Sequence, residues 1–258
     1  MTEQKPSLEQ RITDARRANR VARVPYLTAG FPALDRFLPL LRDLDANGAD
    51  IIEVGVPFSD PVADGPVVEG ASRKALANGV SLEWIFGELK KLDPPLNAGL
   101  VLMGYYNPFL QFGFERLIKE AAAVGVQGFI VPDLPLEESH ELRTMLKSVN
   151  IDLIALVGPN TDDARMQEYA PTASGYVYVV SVMGTTGVRA KVAEEANRTL
   201  ERARRNFNVP VALGFGIQNP AQVDAMPVQP DAAVFGSALL KHIESGGSVA
   251  EFMKPWLE

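Results

Sequence analysis

The chain has 258 residues, 47% hydrophobic and 22% charged, a balance that suits a folded domain with a large core and excludes a disordered chain. Its formal net charge of -7 and pI near 5.0 argue against nucleic acid as a general partner, because a phosphate backbone calls for a basic stripe. The absence of cysteine excludes disulfides and thiolate-held metals, and no apolar run approaches the length of a membrane span.

The start Met1-Thr2-Glu3-Gln4-Lys5 lacks the apolar run of a signal peptide, so a cytoplasmic location is expected. No Ser/Gly-rich or charge-run linker divides the chain, so one domain over 1–258 is expected. Residues 7–19 read as an opening helix with Ser7 as its cap. After it, a short apolar run, a turn and a longer amphipathic stretch recur about eight times. The runs read as strands are 24–28, 50–56, 99–104, 128–131, 152–157, 175–181, 210–215 and 232–235. The stretches read as helices are 34–46, 66–78, 82–92, 114–124, 137–148, 162–169, 191–207 and 220–226, with 237–243 and 248–256 closing the chain.

Strands alternating with helices at this length predict an α/β fold, a (β/α)8 TIM barrel. Helix 7–19 would plug its bottom, and extra short helices would sit in the βα loops. An open doubly wound sheet is the alternative. It is disfavoured because Ala29-Gly30-Phe31-Pro32 follows strand one, where a dinucleotide site needs a Gly-rich fingerprint.

Alternation along strand two puts Ile51, Glu53 and Gly55 on one face and Ile52, Val54 and Val56 on the other, so Glu53 points into the barrel. A desolvated carboxyl has its pKa raised toward the range of a general acid or base. The alternative is a structural Glu paired with a buried base, and the assignable inward positions carry no Lys or Arg. The following loop, Pro57-Phe58-Ser59-Asp60-Pro61-Val62-Ala63-Asp64-Gly65-Pro66, holds two carboxylates between prolines above the barrel mouth. Taken alone, Asp60 and Asp64 read equally as turn residues. Gly-bearing segments follow the last three strands: Met183-Gly184-Thr185-Thr186-Gly187, Gly214-Phe215-Gly216-Ile217 and Phe235-Gly236-Ser237-Ala238. They match a barrel phosphate site, where bare amides and a helix N-terminus meet the anion. The only histidines, His140 and His242, fall on helices, so no histidine-ligated metal is expected. No lysine stands at a strand end, so a carbon–carbon cleavage here needs a substrate that supplies its own electron sink.

With these residues in view, the chain strongly resembles the tryptophan synthase alpha subunit family, (β/α)8 barrels that cleave indole-3-glycerol phosphate into indole and glyceraldehyde 3-phosphate. The likeness runs nearly end to end. It rests on Pro25-Tyr26-Leu27-Thr28-Ala29-Gly30-Phe31-Pro32, on the segment Glu53 to Pro66, on Tyr105-Tyr106-Asn107-Pro108, on Val131-Pro132-Asp133-Leu134-Pro135 and on Gly214-Phe215-Gly216-Ile217.

The resemblance implies catalytic roles for Glu53, which protonates indole C3 and helps move the glycerol hydroxyl proton, for Asp64 at the indole N–H, and for Tyr178 near the reacting centre. It assigns Gly187, Gly216, Gly236 and Ser237 to the phosphate, and Thr186 to loop closure over Asp64. Tyr26, Met103, Tyr105, Ile130 and Leu156 would form a flat indole pocket, though each reads equally well as barrel filling. No cofactor is implied for this chain. The implied partner is a beta subunit carrying pyridoxal phosphate, in an alpha2-beta2 tetramer, with the rim at Asp60 to Pro61 and Asn107 to Gly113 as contact surface. Two other readings remain open: an allosteric binding subunit with negligible turnover of its own, and an isomerase of sugar phosphates. Val182 stands where some relatives carry an arginine, and Met226-Pro227-Val228-Gln229-Pro230 replaces a more usual Ala/Gly-rich turn on the bottom side.

Overall fold

The computed structural model describes residues 5–180, 189–214 and 216–258, and for residues 189–193 the backbone alone. Its strands are β1 Ala22–Thr28, β2 Ile51–Gly55, β3 Gly99–Met103, β4 Val126–Ile130, β5 Asp152–Leu153, β6 Ala155–Val157, β7 Val177–Val180, β8 Val211–Gly214 and β9 Ala232–Phe235. All pairings are parallel, in the order β5-β4-β3-β2-β1-β9-β8-β7-β6. The two ends of that order are consecutive in sequence. The single run expected over 152–157 is interrupted at Ile154, whose N–H donates to the Phe129 carbonyl at 2.9 Å. Its lower half pairs with β4 and its upper half with β7. Nine strand segments therefore make an eight-position, nearly closed barrel.

The helices are α1 Leu8–Arg17, α2 Phe37–Ala46, α3 Pro66–Ala77, α4 Leu82–Leu89, α5 Tyr106–Phe112, α6 Phe114–Ala123, α7 His140–Lys147, α8 Asp163–Tyr169, α9 Arg189–Asn206, α10 Pro220–Asp224, α11 Ser237–Glu244 and α12 Val249–Leu257. The expected helices are present, most of them shorter by a residue or more at one end. Helix α5 was not among them: its seven residues begin at Tyr106-Asn107-Pro108, a stretch too short and too mixed to carry a 3.6-residue period. Among the described residues, no helix is long and apolar enough to cross a membrane.

Local chemistry sets the helix starts. Ser7 caps α1 reciprocally with Gln10: its Oγ accepts the Gln10 N–H at 3.2 Å, and its own N–H donates to Gln10 Oε1 at 2.8 Å. Such a box satisfies two N–H groups that the first turn leaves unpaired. Helix α1 seals the barrel bottom because the inner wall has space for Leu8. A Cβ on Gly99 or on Gly128 would stand 2.8 Å from a Leu8 methyl, so these glycines create the socket. Leu8 and Ile12 are fully buried there. Carboxylates brace the same end: Asp50 takes a two-point grip from Arg20 at 2.6 and 2.7 Å, and the 4%-exposed Asp231 accepts the Val211 N–H at 2.8 Å.

Candidate active site

At the opposite, C-terminal end of the strands lies a cavity of about 410 Å³ lined by Tyr26, Glu53, Asp64, Met103, Tyr178, Gly216, Gly236 and Ser237, among others. Ligands of parallel barrels meet the protein at this end, where the βα loops converge. The strand register explains which side chains arrive. Tyr26 pairs with Glu53, Gly55 with Met103, and Tyr178 with Ala212, and in-register neighbours on parallel strands share a face.

Glu53 is 1% exposed, and among the described residues its Oε2 has no hydrogen-bond partner. Burial first, and the nearby charge of Asp64 second, push its pKa up to about 8. A carboxyl of this kind holds its proton at neutral pH and can donate it. Asp64 sits in the loop between β2 and α3. Burial raises its pKa to about 6, a hydrogen bond from Tyr105 works against that rise, and Glu69 adds to it. Near neutrality one carboxyl is thus protonated and the other ionised in the same cavity, the split that assigns an acid and an anion to separate tasks.

Two tyrosines form the walls. A Cβ on Gly55 would stand 2.0 Å from the Tyr26 hydroxyl, and one on Gly214 would stand 2.0 Å from the Tyr178 hydroxyl. The hydroxyl end of each ring therefore lies over a glycine of the next strand, in space that any larger residue would fill. Burial raises both hydroxyl pKa values well above the ordinary tyrosine value, so both stay protonated. Val68, Val180 and Val234 complete the apolar lining. Sequence reasoning missed them, although Val180 lies two residues beyond Tyr178, and Val234 two before Gly236, on the alternation that aims side chains inward.

At the rim, Gly216 has φ of +87°, a left-handed conformation that favours glycine. Gly236 is the N-cap of α11, so first-turn N–H groups without intrahelical partners face the cavity beside Ser237. Gly187, Thr186 and Val182 lie outside the described residues.

Three residues expected in the indole pocket are not among those that line this cavity. Ile130 is fully buried next to Met103 in the register of β3 and β4 but does not line the cavity. Leu156 lines a different cavity of about 240 Å³ toward α7. Tyr105 turns its hydroxyl to the acidic loop instead, accepting the Ala63 N–H at 3.0 Å. His140 is exposed, and His242 lies against Phe252 with Nε2 2.9 Å from the Ser248 carbonyl; neither lines the cavity.

Fold and carboxylate pair together define a (β/α)8-barrel enzyme of acid/base chemistry. Residues 12–254 match the family model described as tryptophan synthase alpha chain. The tryptophan synthase alpha chain of Nitratidesulfovibrio vulgaris is 61% identical over 97% of this chain and 98% of its own, and that of Desulfovibrio desulfuricans 59% identical over 96% and 98%. Among solved structures, a ligand-free tryptophan synthase from M. tuberculosis superposes with a TM-score of 0.86 at 28% identity, covering 97% of this chain and 96% of that one. A tryptophan synthase complex from Pyrococcus furiosus does so with a TM-score of 0.79 at 34% identity over 90% and 94%. The chain belongs to the tryptophan synthase alpha chain family. It is a lyase that cleaves indole-3-glycerol phosphate.

Proposed function

We propose that Glu53 is the acid and base of this cleavage and that Asp64 holds the indole N–H. The observation that carries the reading is the pair itself: a buried carboxyl with an unpartnered oxygen and a second, more acidic carboxyl lining one cavity. Protonated Glu53 gives its proton to indole C3, which turns the ring into an iminium. The Asp64 carboxylate stabilises the positive charge that develops at the ring nitrogen. Glu53, now ionised, takes the proton of the adjacent glycerol hydroxyl. The carbon–carbon bond breaks, its electron pair returns to the ring, and indole and glyceraldehyde 3-phosphate leave with Glu53 protonated again. No lysine is required, because the protonated indole is the electron sink.

Tyr178 bounds the reacting centre, while Tyr26 and Met103 contact the ring. The phosphate is held by Gly216, Gly236 and Ser237; the phosphate role expected of Gly187 and the loop-closing role expected of Thr186 fall outside the described residues. The whole chain acts as one barrel domain, in the cytoplasm, with a beta subunit that carries the pyridoxal phosphate and receives the indole, in an alpha2-beta2 tetramer. The similarity to solved tryptophan synthase complexes supports that partner. So does an apolar, exposed rim beside Asp60, where Val62 is 85% and Leu110 47% exposed.

The test is Glu53→Gln, assayed by glyceraldehyde 3-phosphate release with and without a beta subunit. A loss on the order of 100-fold or more is expected. A variant within a few-fold of the parent chain would overturn the assignment of Glu53.

A further inference from the structure

Tyr105 stands outside the cavity lining, yet it is only 3% exposed and reaches the loop that carries Asp64. Its position is determined from two sides. It is the residue before α5, and the next residue, Tyr106, donates its N–H to Asp133 Oδ1 at 2.8 Å, which ties the start of α5 to the loop after β4. On the other side its ring packs against Phe58, with centroids 5.2 Å apart and a tilt of 31°. Phe58 and Ala63 are the two ends of the same acidic loop.

The hydroxyl lies between a donor and an acceptor. Its oxygen accepts the Ala63 N–H at 3.0 Å. A hydroxyl whose oxygen is engaged by an N–H keeps its own proton free to donate, and the Tyr105 hydroxyl works against the rise that burial gives Asp64. One side chain therefore grips the loop at Phe58 and at the backbone of Ala63, the residue before Asp64. A phenylalanine would fill the same space and make only the first of these contacts.

We propose that Tyr105 is a positioning residue for the lyase reaction: its hydroxyl anchors the loop after β2 and keeps Asp64 aimed at the cavity. The inference rests on the reading of Asp64 given above. It changes the part expected of Tyr105, from a wall of the indole pocket to a support for the anion that meets the indole nitrogen. Preorganised anions need such second partners, because a carboxylate free to rotate or to take up a proton no longer meets the charge that develops in the transition state. Hydrogen bonding to the ionised form offsets the burial that favours the neutral one.

The experiment uses the chain with its beta subunit and follows glyceraldehyde 3-phosphate release against pH in Tyr105→Phe, Asp64→Asn and the double variant. Removing the hydroxyl removes an interaction that favours ionised Asp64, so the acid limb of kcat/KM moves to higher pH by about one unit. From a starting value of about 6, the loss is then about 3-fold near pH 6.5, approaches 10-fold below about pH 5, and nearly vanishes near pH 8.5. In the Asp64→Asn background, Tyr105→Phe changes the rate by less than about two-fold, because it acts through Asp64. A fluorinated tyrosine at position 105, a stronger donor with the same shape, moves the acid limb to lower pH and keeps the test available if Tyr105→Phe folds poorly. The proposal is overturned if the acid limb stays in place in these variants, or if the losses in Tyr105→Phe and Asp64→Asn multiply. An Asp64→Asn enzyme as active as the parent would instead overturn the underlying reading of Asp64.

Discussion

The Tyr26 ring lies across Gly55: a Cβ on that glycine would stand 2.0 Å from the tyrosine hydroxyl and 2.4 Å from the ring carbon that bears it. Tyr26 is also in register with Glu53, so the missing side chain at Gly55 lets the ring lie beside the buried carboxyl.

Gly55→Ala is accordingly expected to displace the whole ring, not just its hydroxyl. Overpacking of this kind costs about 1–3 kcal/mol, and the displaced ring enters the slot beside Glu53. Thermal melting should show the loss, and steady-state kinetics a KM for indole-3-glycerol phosphate raised about 10-fold. A variant with the parent's melting temperature and KM would mean that the ring has room to move.

Activity should follow a bell in pH. The productive form has Asp64 ionised and Glu53 protonated. With Asp64 at about 6 and Glu53 at about 8, that form dominates between those values. Rising acidity neutralises Asp64 and rising alkalinity removes the Glu53 proton, so both flanks fall. A kcat/KM profile measured with the beta subunit reports the two limbs. Asp64→Asn should lower the whole curve and shift the alkaline limb downward, since the Asp64 charge contributes to the raised pKa of Glu53.

Glu53 also weakens the fold as pH rises. Below the ordinary glutamate value of 4.5 the carboxyl is protonated in both folded and unfolded chains and contributes nothing. Between 4.5 and about 8 the unfolded chain ionises while the folded one keeps its proton, so unfolding is increasingly favoured. Above about 8 the penalty is complete. Glu53→Gln removes it. The variant should melt higher than the parent at pH 8, by a stability on the order of 3 kcal/mol, with the difference shrinking toward pH 4.5. Equal melting curves across that range would contradict burial of an unpaired carboxyl.

The bottom of the barrel should be separable from its chemistry. Asp231 accepts the Val211 N–H at 2.8 Å and pairs with Arg204 at 3.0 Å and Arg16 at 3.2 Å. Asp231→Ala leaves the buried Val211 N–H unsatisfied, a loss of about 1–3 kcal/mol. Denaturant titration should show it, while kcat of the folded fraction stays within about two-fold of the parent because the site lies at the other end. A large fall in kcat would indicate coupling between the two ends.

Several features were legible because they depend on short-range rules. Alternation in β2 put Glu53 inward, and the spacing of apolar runs and helical stretches predicted a parallel barrel. Ser7 was readable as a cap from its own chemistry, and the glycines at 216 and 236 from their place after the last strands. Ile130 and Leu156 follow the inward alternation and stand in register with Met103 and Tyr178, which line the cavity. Tyr105 belongs to a helix start that the sequence conceals, and that helix turns the hydroxyl toward Ala63.

For the segment from Glu53 to Pro66, the sequence alone determined which residue types were present and that one carboxyl was bound for the interior, because side-chain direction in a strand is a two-residue property. Only the tertiary structure decided their protonation and partners. The raised pKa of Glu53, the more acidic Asp64 and the Tyr105 hydroxyl that supports it arise from burial and from contacts between strands and loops far apart in the chain. Desolvation and hydrogen bonding act through space, and the barrel brings those groups within reach of one another.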